Sequence, residues 1–203
     1  MKALSFVSKI SKKGLLIATG MLVVLGTIFS VPTNVVFAAP ATPASYTALT
    51  KAYQDDQNWF KAQHVNVGRA DGVVTQVQAL ITTAKSDGIS TSGLEAALDV
   101  FQAQLRTAKA SHATASAVLS AHKGFDNSGN VTNPVLAAQT VRDATQSLSD
   151  AHNVLVQSSR DLLTALSLWS AHNHITSSSP VYSAYNQAYQ ATLTLHNDVT
   201  GEH

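Results

Sequence analysis

The chain contains no cysteine. That excludes disulfides, thiolate metal sites, Fe–S clusters and covalently attached c-type haem. Its only methionines are Met1 and Met21. Both fall in the N-terminal leader described below, so the rest of the chain cannot build a Met–His haem site or a thioether copper site. Beyond the leader the only glutamates are Glu95 and Glu202. Helical proteins that catalyse through paired metals use several inward glutamates, and this chain cannot supply them. It also lacks a Gly-rich phosphate loop, an HExxH motif and a nucleophile elbow. Charge is sparse, at 12% of residues, with Gln, Asn, Ser and Thr in its place. No basic stripe is present, so nucleic acid is not an expected partner.

The N-terminus is different in kind. Lys2, Lys9, Lys12 and Lys13 precede an uncharged apolar run from Gly14 to Phe29, and Val36-Phe37-Ala38 offers acceptable residues at the −3 and −1 positions. This is the layout of a secretory signal peptide cleaved after Ala38. Left uncleaved, the segment would anchor the protein, since Gly14 to Ala39 nearly spans a bilayer. Pro32, Thr33 and Asn34 interrupt that span, which favours cleavage. The expected organisation is a signal peptide over 1–38, a lead-in over 39–44 and a helical domain over 45–203. All 12 acidic residues but only 9 of the 13 basic ones follow Ala38, a formal balance of −3.

After the leader, apolar residues recur every three or four positions. Tyr46, Leu49, Tyr53, Asp56, Phe60, Gln63, Val67, Ala70, Val74, Val77, Ile81 and Ala84 predict one long helix ending near Asp87-Gly88. Gly68 and Gly72 within it suggest a close helix crossing. Ser92 with Glu95 reads as a capping box, and Leu94, Leu98, Phe101, Leu105, Ala108, His112, Ala115, Leu119 and His122 form the second seam. The short connector folds these two helices back on each other. A loop from His122 to Pro134 follows, in which Asn133-Pro134 caps and starts helix three. Its seam is Ala137, Val141, Ala144, Leu148, Ala151, Leu155, Ser158, Leu162, Ala165, Trp169 and His172. A shorter helix carries Tyr182, Tyr185 and Tyr189 on one face. The expected fold class is all-α: an elongated antiparallel helical bundle of three long helices plus a shorter C-terminal helix, with coiled-coil-like packing.

The candidate chemistry sits on the seams. Folding the first two helices about Ile89 makes residues whose numbers sum to about 178 face each other, which puts Asp56 opposite His122 and His112 near Gln63 and Val67. An Asp–His pair could be a carboxylate-held general base or a buried pair that fixes register. With no nucleophile or oxyanion site beside it, the structural role is preferred. All eight histidines follow the leader, yet no two are three or four apart, so no helical zinc set forms. His64 with His112 is the one cross-helix pairing. The loop Asp126-Asn127-Ser128-Gly129-Asn130-Val131 resembles the middle of a calcium loop, but Gly124 and Val135 stand where the end ligands belong. A structured turn is expected instead, with Asn127 and Asn130 beside glycines supplying left-handed conformations and Phe125 and Val131 tucked onto the bundle end. The tyrosines, with Trp59, Phe60 and Trp169, could line a ligand or sugar surface, but aromatics at helical spacing are more often core and seam.

The polar cluster to test is therefore Asp56, His122, His64 and His112, with no catalytic residue, metal or cofactor assigned. The expected role is a non-enzymatic structural or protein-interaction module at or outside the cell surface. Its protein partner is unspecified, and it has no membrane span once the signal is removed. The alternative is a bundle that binds a small ligand or metal through histidines and aromatics.

Overall fold

The computed structural model describes residues 43–201, all within one compact unit. The expected signal peptide and cleavage site lie outside the described residues. The fold is all-α, with helices α1 (Pro43–Ser86), α2 (Ser92–Ala121), α3 (Pro134–His172) and α4 (Tyr182–Thr200). The described residues contain no β-strand, only an isolated bridge between Phe125 and Val131. At 1.5 Å per residue α1 is about 66 Å long. It begins at Pro43, so the helix takes in the last two residues of the expected lead-in. Proline suits the first helical position, where its missing N–H would have had no partner.

α1 and α2 meet with numbers falling along one as they rise along the other. Tyr53 Oη donates to Leu119 O, Lys109 bonds Asp71 and Lys85 bonds Glu95. At the turn Gly88 takes φ +71°, as the Asp-Gly signal predicts. The Ser92 capping box does not form. Ser92 is already helical, Thr91 occupies the N-cap position, and its side chain makes no cap hydrogen bond. The Thr91 hydroxyl instead donates to the Glu95 carboxylate at 2.8 Å. The Lys85 ammonium and that hydroxyl together hold the Glu95 carboxyl below its ordinary range. α2 buries Leu94, Leu98, Phe101, Leu105, Ala108, His112, Ala115 and Leu119, the periodic residues of its seam. His122 lies past the helix end.

The loop over 122–133 is tightly organised. The left-handed conformations fall on the two glycines, Gly124 (φ 84°) and Gly129 (φ 82°), and on His122 (φ 34°), while Asn127 and Asn130 adopt none. The Asp126 carboxylate explains part of this. It accepts from the backbone N–H groups of Ser128 and Asn130 and from Asn130 Nδ2, a local turn that holds its chain without positive φ at the asparagines. These bonds keep the Asp126 carboxyl below its ordinary range. Phe125 is buried and stacks on Tyr53 with ring centres 4.2 Å apart. Asn133 caps α3, its Oδ1 accepting from Val135 and Leu136 N–H.

α3 rests mainly on α2, and α4 packs on α1 and α3 without touching α2. α4 buries Ala188, Thr192, Leu195 and Val199. Its tyrosines lie on the flank of that stripe, with Tyr182 exposed and Tyr185 and Tyr189 half-buried. Gly68 and Gly72 are exposed, and a Cβ on either would meet nothing within 4 Å, so they mark no helix crossing.

The core divides in two. One cluster runs from Val67 to Ala84 on α1 and includes Phe101, Leu155, Leu162, Leu166, Trp169 and the buried face of α4. The other is small: Tyr53, Leu119, Phe125, Ala137 and Ala144. Between them lie Asp56, Gln63 and Asn66 of α1 and His112 of α2, with His152 of α3 at the edge of the larger cluster.

Candidate functional site: a polar layer between two apolar clusters

The layer takes residues from α1, α2 and α3. Asp56, Gln63 and Asn66 on α1, His112 on α2 and His152 on α3 are all buried. They face inward because they occupy the same three-and-four spacing as the apolar residues above and below them. Periodicity alone decides which residues enter, whatever their polarity, so buried polar groups here must find partners within the layer.

Gln63 is the centre and is fully buried. Its Nε2 donates to Leu148 O on α3 at 2.9 Å, and its Oε1 lies 3.1 Å from His112 Nδ1 on α2. The amide oxygen can only accept, so His112 carries its hydrogen on Nδ1. One side chain thereby ties three helices at a single level. His112 also stacks face to face on Phe60, ring centres 4.3 Å apart and 4° from parallel. His64 lies 5.6 Å from His112 and 6.4 Å from Phe60, on the exposed side of the same stack. On the α3 side, Trp59 meets the His152 ring edge-on at 6.0 Å.

Asp56 does not pair with His122. Thr145 Oγ1 on α3 lies 3.0 and 3.1 Å from the two carboxylate oxygens and shares its one hydrogen between them. His122 closes the end of α2 instead, with Nδ1 2.9 Å from Ser120 O. The fold-back arithmetic reached only α2, whereas the partner of Asp56 comes from α3. The structure brings together His64, His112 and Gln63, and leaves Asp56 and His122 apart from each other.

With only a neutral hydroxyl to offset burial, the Asp56 carboxyl is pushed up from 3.8 to about 6. Desolvation is the main cause; the Thr145 bond opposes it and the neighbouring Asp55 charge adds to it. A carboxyl in that range suits general base chemistry, and a hydroxyl donating to it is half of an activated nucleophile. Thr145, however, sits inside α3, where backbone N–H groups are committed to the helix and offer no oxyanion site.

A hydroxyl–imidazole contact between α3 and α4 was not visible in the sequence. Ser159 Oγ lies 3.0 Å from His196 Nδ1 and donates to Val156 O at 3.0 Å. A hydroxyl has one hydrogen. With the carbonyl taking it, His196 is the donor to Ser159, the reverse of a base-activated serine. Ser159 is also fully buried. The pairing joins α3 to α4, and no periodic signal could have found it, because it depends on how α4 is placed. Thr145 and His152 were missed because their neighbours, Asp56 and Trp59, lie on α1, which is not adjacent to α3 in the chain.

No group of three or more metal-ligating side chains is assembled among the described residues. None of the described helices is long and apolar enough to cross a membrane. A groove of about 260 Å³ between α2 and α3 is walled by Ala97, Val100, Phe101 and Leu162, with Gln104, Ser158 and Asp161 at its edges, and it holds no nucleophile–base pair. No family model matches the chain, and neither the curated proteins nor the solved structures compared with it yield a match.

Proposed function

We propose that the protein is an exported, non-enzymatic helical module: an elongated antiparallel bundle of three long helices and one short helix, packed in a coiled-coil-like manner, that serves a structural or protein-interaction role at or outside the cell surface. One observation carries the non-enzymatic reading. The polar groups that chemistry would require are bonded to one another: Asp56 to Thr145, Gln63 to His112 and Leu148 O, Ser159 to Val156 O and His196. Such a layer fixes how helices align and leaves little free for a substrate. Export is supported by the lysine-rich start, the apolar run and the small residues before Ala39. A chain without cysteine is also indifferent to an oxidising compartment.

Fractionation of the native cells with N-terminal sequencing tests this reading. The protein is expected outside the cytoplasmic membrane with Ala39 as its first residue. A cytoplasmic chain that still begins at Met1 would sink it.

A second reading rests on the stack of Phe60, His64 and His112. A small metal or planar ligand would use His64, the exposed member, with the aromatic ring as backing. Titration with Zn²⁺ or Cu²⁺ decides it: a stoichiometric rise in melting temperature that is lost in His64→Ala would establish this alternative.

A further inference from the structure

We propose that the tyrosine flank of α4 binds a neutral polysaccharide chain. Tyr182, Tyr185 and Tyr189 form a continuous ladder, with ring centres 6.5 and 5.8 Å apart. Trp169 on α3 anchors it at 6.4 Å from Tyr185 and is itself fixed by an Nε1 hydrogen bond to Ser90 O at 2.8 Å. The ladder therefore has a rigid backing and an open edge at Tyr182.

Its polar groups are unspent. Tyr53, the inward tyrosine, gives its hydroxyl to Leu119 O. The hydroxyls of Tyr182, Tyr185 and Tyr189 make no hydrogen bond among the described residues. The amides differ in the same way. On α3, Gln139, Gln146 and Gln157 are each tied to an aspartate one turn on. On α4, Asn186, one turn on from Tyr182, and Gln190, one turn on from Asn186, are exposed and have no side-chain partner among the described residues. This flank thus combines aromatic faces with free hydroxyls and free amides.

The charge pattern selects the partner. From Leu162 to Asn197 the sequence contains no Asp, Glu, Lys or Arg. Asp198, at the far end, is occupied by Arg69 at 2.6 Å. Recognition of a charged protein or an acidic polymer relies on complementary charge, which this surface lacks. An uncharged sugar chain matches it. The C–H face of a pyranose packs on a tyrosine ring, and its hydroxyls exchange hydrogen bonds with phenols and carboxamides, all without burying a fixed charge. Adjacent rings are inclined by 44° and 34°, so they follow a twisted soluble chain better than a flat crystalline face. The proposal rests on the export reading only for where such a polymer would be met.

Native affinity electrophoresis of the purified chain, in gels containing laminarin, hydroxyethyl cellulose or galactomannan, tests the assignment. At least one of these neutral polymers should retard the protein, and 0.5 M salt (an ionic strength of about that order screens surface charge) should leave the retardation unchanged. Tyr182→Ala should weaken it about fivefold to tenfold, the loss of one stacked ring. Tyr182→Phe, which keeps the ring, should lose much less. Because Tyr182 is at the exposed end, circular dichroism melting should show both variants folded. The proposal is overturned if no neutral polymer retards the chain, if Tyr182→Ala migrates like the parent, or if retardation appears only with polygalacturonate and vanishes in salt. Fractionation is read separately. An exported chain that is not retarded defeats this inference alone, and a cytoplasmic chain that is retarded defeats the export reading alone.

Discussion

Asp56 gives this protein a stability contribution that weakens as pH rises, opposite in sign to those of Glu95 and Asp126. Its folded carboxyl titrates at about 6 against an ordinary value of 3.8. Between those values the folded state holds a proton that the unfolded state has released. Stability therefore falls as pH rises through this window and is level above it. At 1.36 kcal/mol per unit the full effect is about 3 kcal/mol. Asp56→Asn keeps an oxygen to accept the Thr145 hydroxyl and removes the charge. It should be more stable than the parent by about 1 to 3 kcal/mol at pH 7.5 and nearly equal at pH 4. Urea unfolding at both values checks this; an equal difference at the two pH values would show that burial of the charge is not the cause. The prediction reverses what an Asp56–His122 pair would have implied, since loss of a paired aspartate costs stability. Glycines give a second contrast at this scale. A Cβ at Gly124 would lie 2.1 Å from Ala137 N and 2.6 Å from Asn133 O, at φ +84°. At Gly88, φ is +71° but nothing lies within 4 Å. Gly124→Ala should therefore cost about 3 kcal/mol or more, and Gly88→Ala about 1 kcal/mol. Thermal melts of the two variants should differ clearly. Similar melts would mean that the loop can move off α3 at little cost.

Helix ends show what local sequence can and cannot say. Asn133-Pro134 is a local signal and the cap is made, with two backbone N–H groups satisfied. Asn133→Ala should cost about 1 kcal/mol, measurable as a lower urea midpoint with an unchanged slope; an unchanged midpoint would mean water serves those groups equally well. Ser92-Glu95 is an equally good local signal, yet Glu95 is drawn to Lys85 at 2.6 Å and to Thr91. A partner from the preceding helix outcompetes a backbone N–H that periodicity alone would have assigned. Seams follow the same division. On α2 the periodic residues from Leu94 to Leu119 are buried, because one neighbour above and one below fix a single inward stripe. On α3 the stripe widens to Thr140, His152, Ser159 and Leu166. That helix touches α1, α2 and α4, and a stripe with three neighbours is broader than any single period can describe. The site divides likewise. His112 beside Gln63 follows from the α1–α2 fold-back. Thr145 on Asp56 joins two helices that are not consecutive, and His196 on Ser159 joins α3 to α4 across a loop; the period of a single helix encodes neither.

At the scale of the whole described unit, the polar layer separates two cores of unequal strength, and that inequality has a dynamic consequence. The cluster between Val67 and Val199 is closed by four helices and buries Leu80, Leu94, Phe101, Leu155, Leu162, Leu166 and Leu195 almost completely. The other end has only three helices, and its cluster buries three large side chains, Tyr53, Leu119 and Phe125, beside Ala137 and Ala144, with Leu49, Phe60, Val118, Val131 and Val141 only partly buried against it. Each fully buried large apolar side chain contributes about 1.5 to 3 kcal/mol, so the three-helix end holds far less. It is also joined to the rest through a layer whose central contact is the single Gln63 amide. This end should open locally without global unfolding, as weakly packed regions do. Native-state hydrogen exchange resolves the point. Amides over 46–60, 113–121 and 134–147 should exchange through openings that depend little on denaturant, while those over 73–84, 94–108 and 155–166 should exchange only with global unfolding. Gln63→Ala should widen that gap by loosening the layer on the three-helix side. Equal protection at both ends would show that the layer couples the two clusters into one cooperative unit, and that its buried amide serves stability across the whole length as much as alignment.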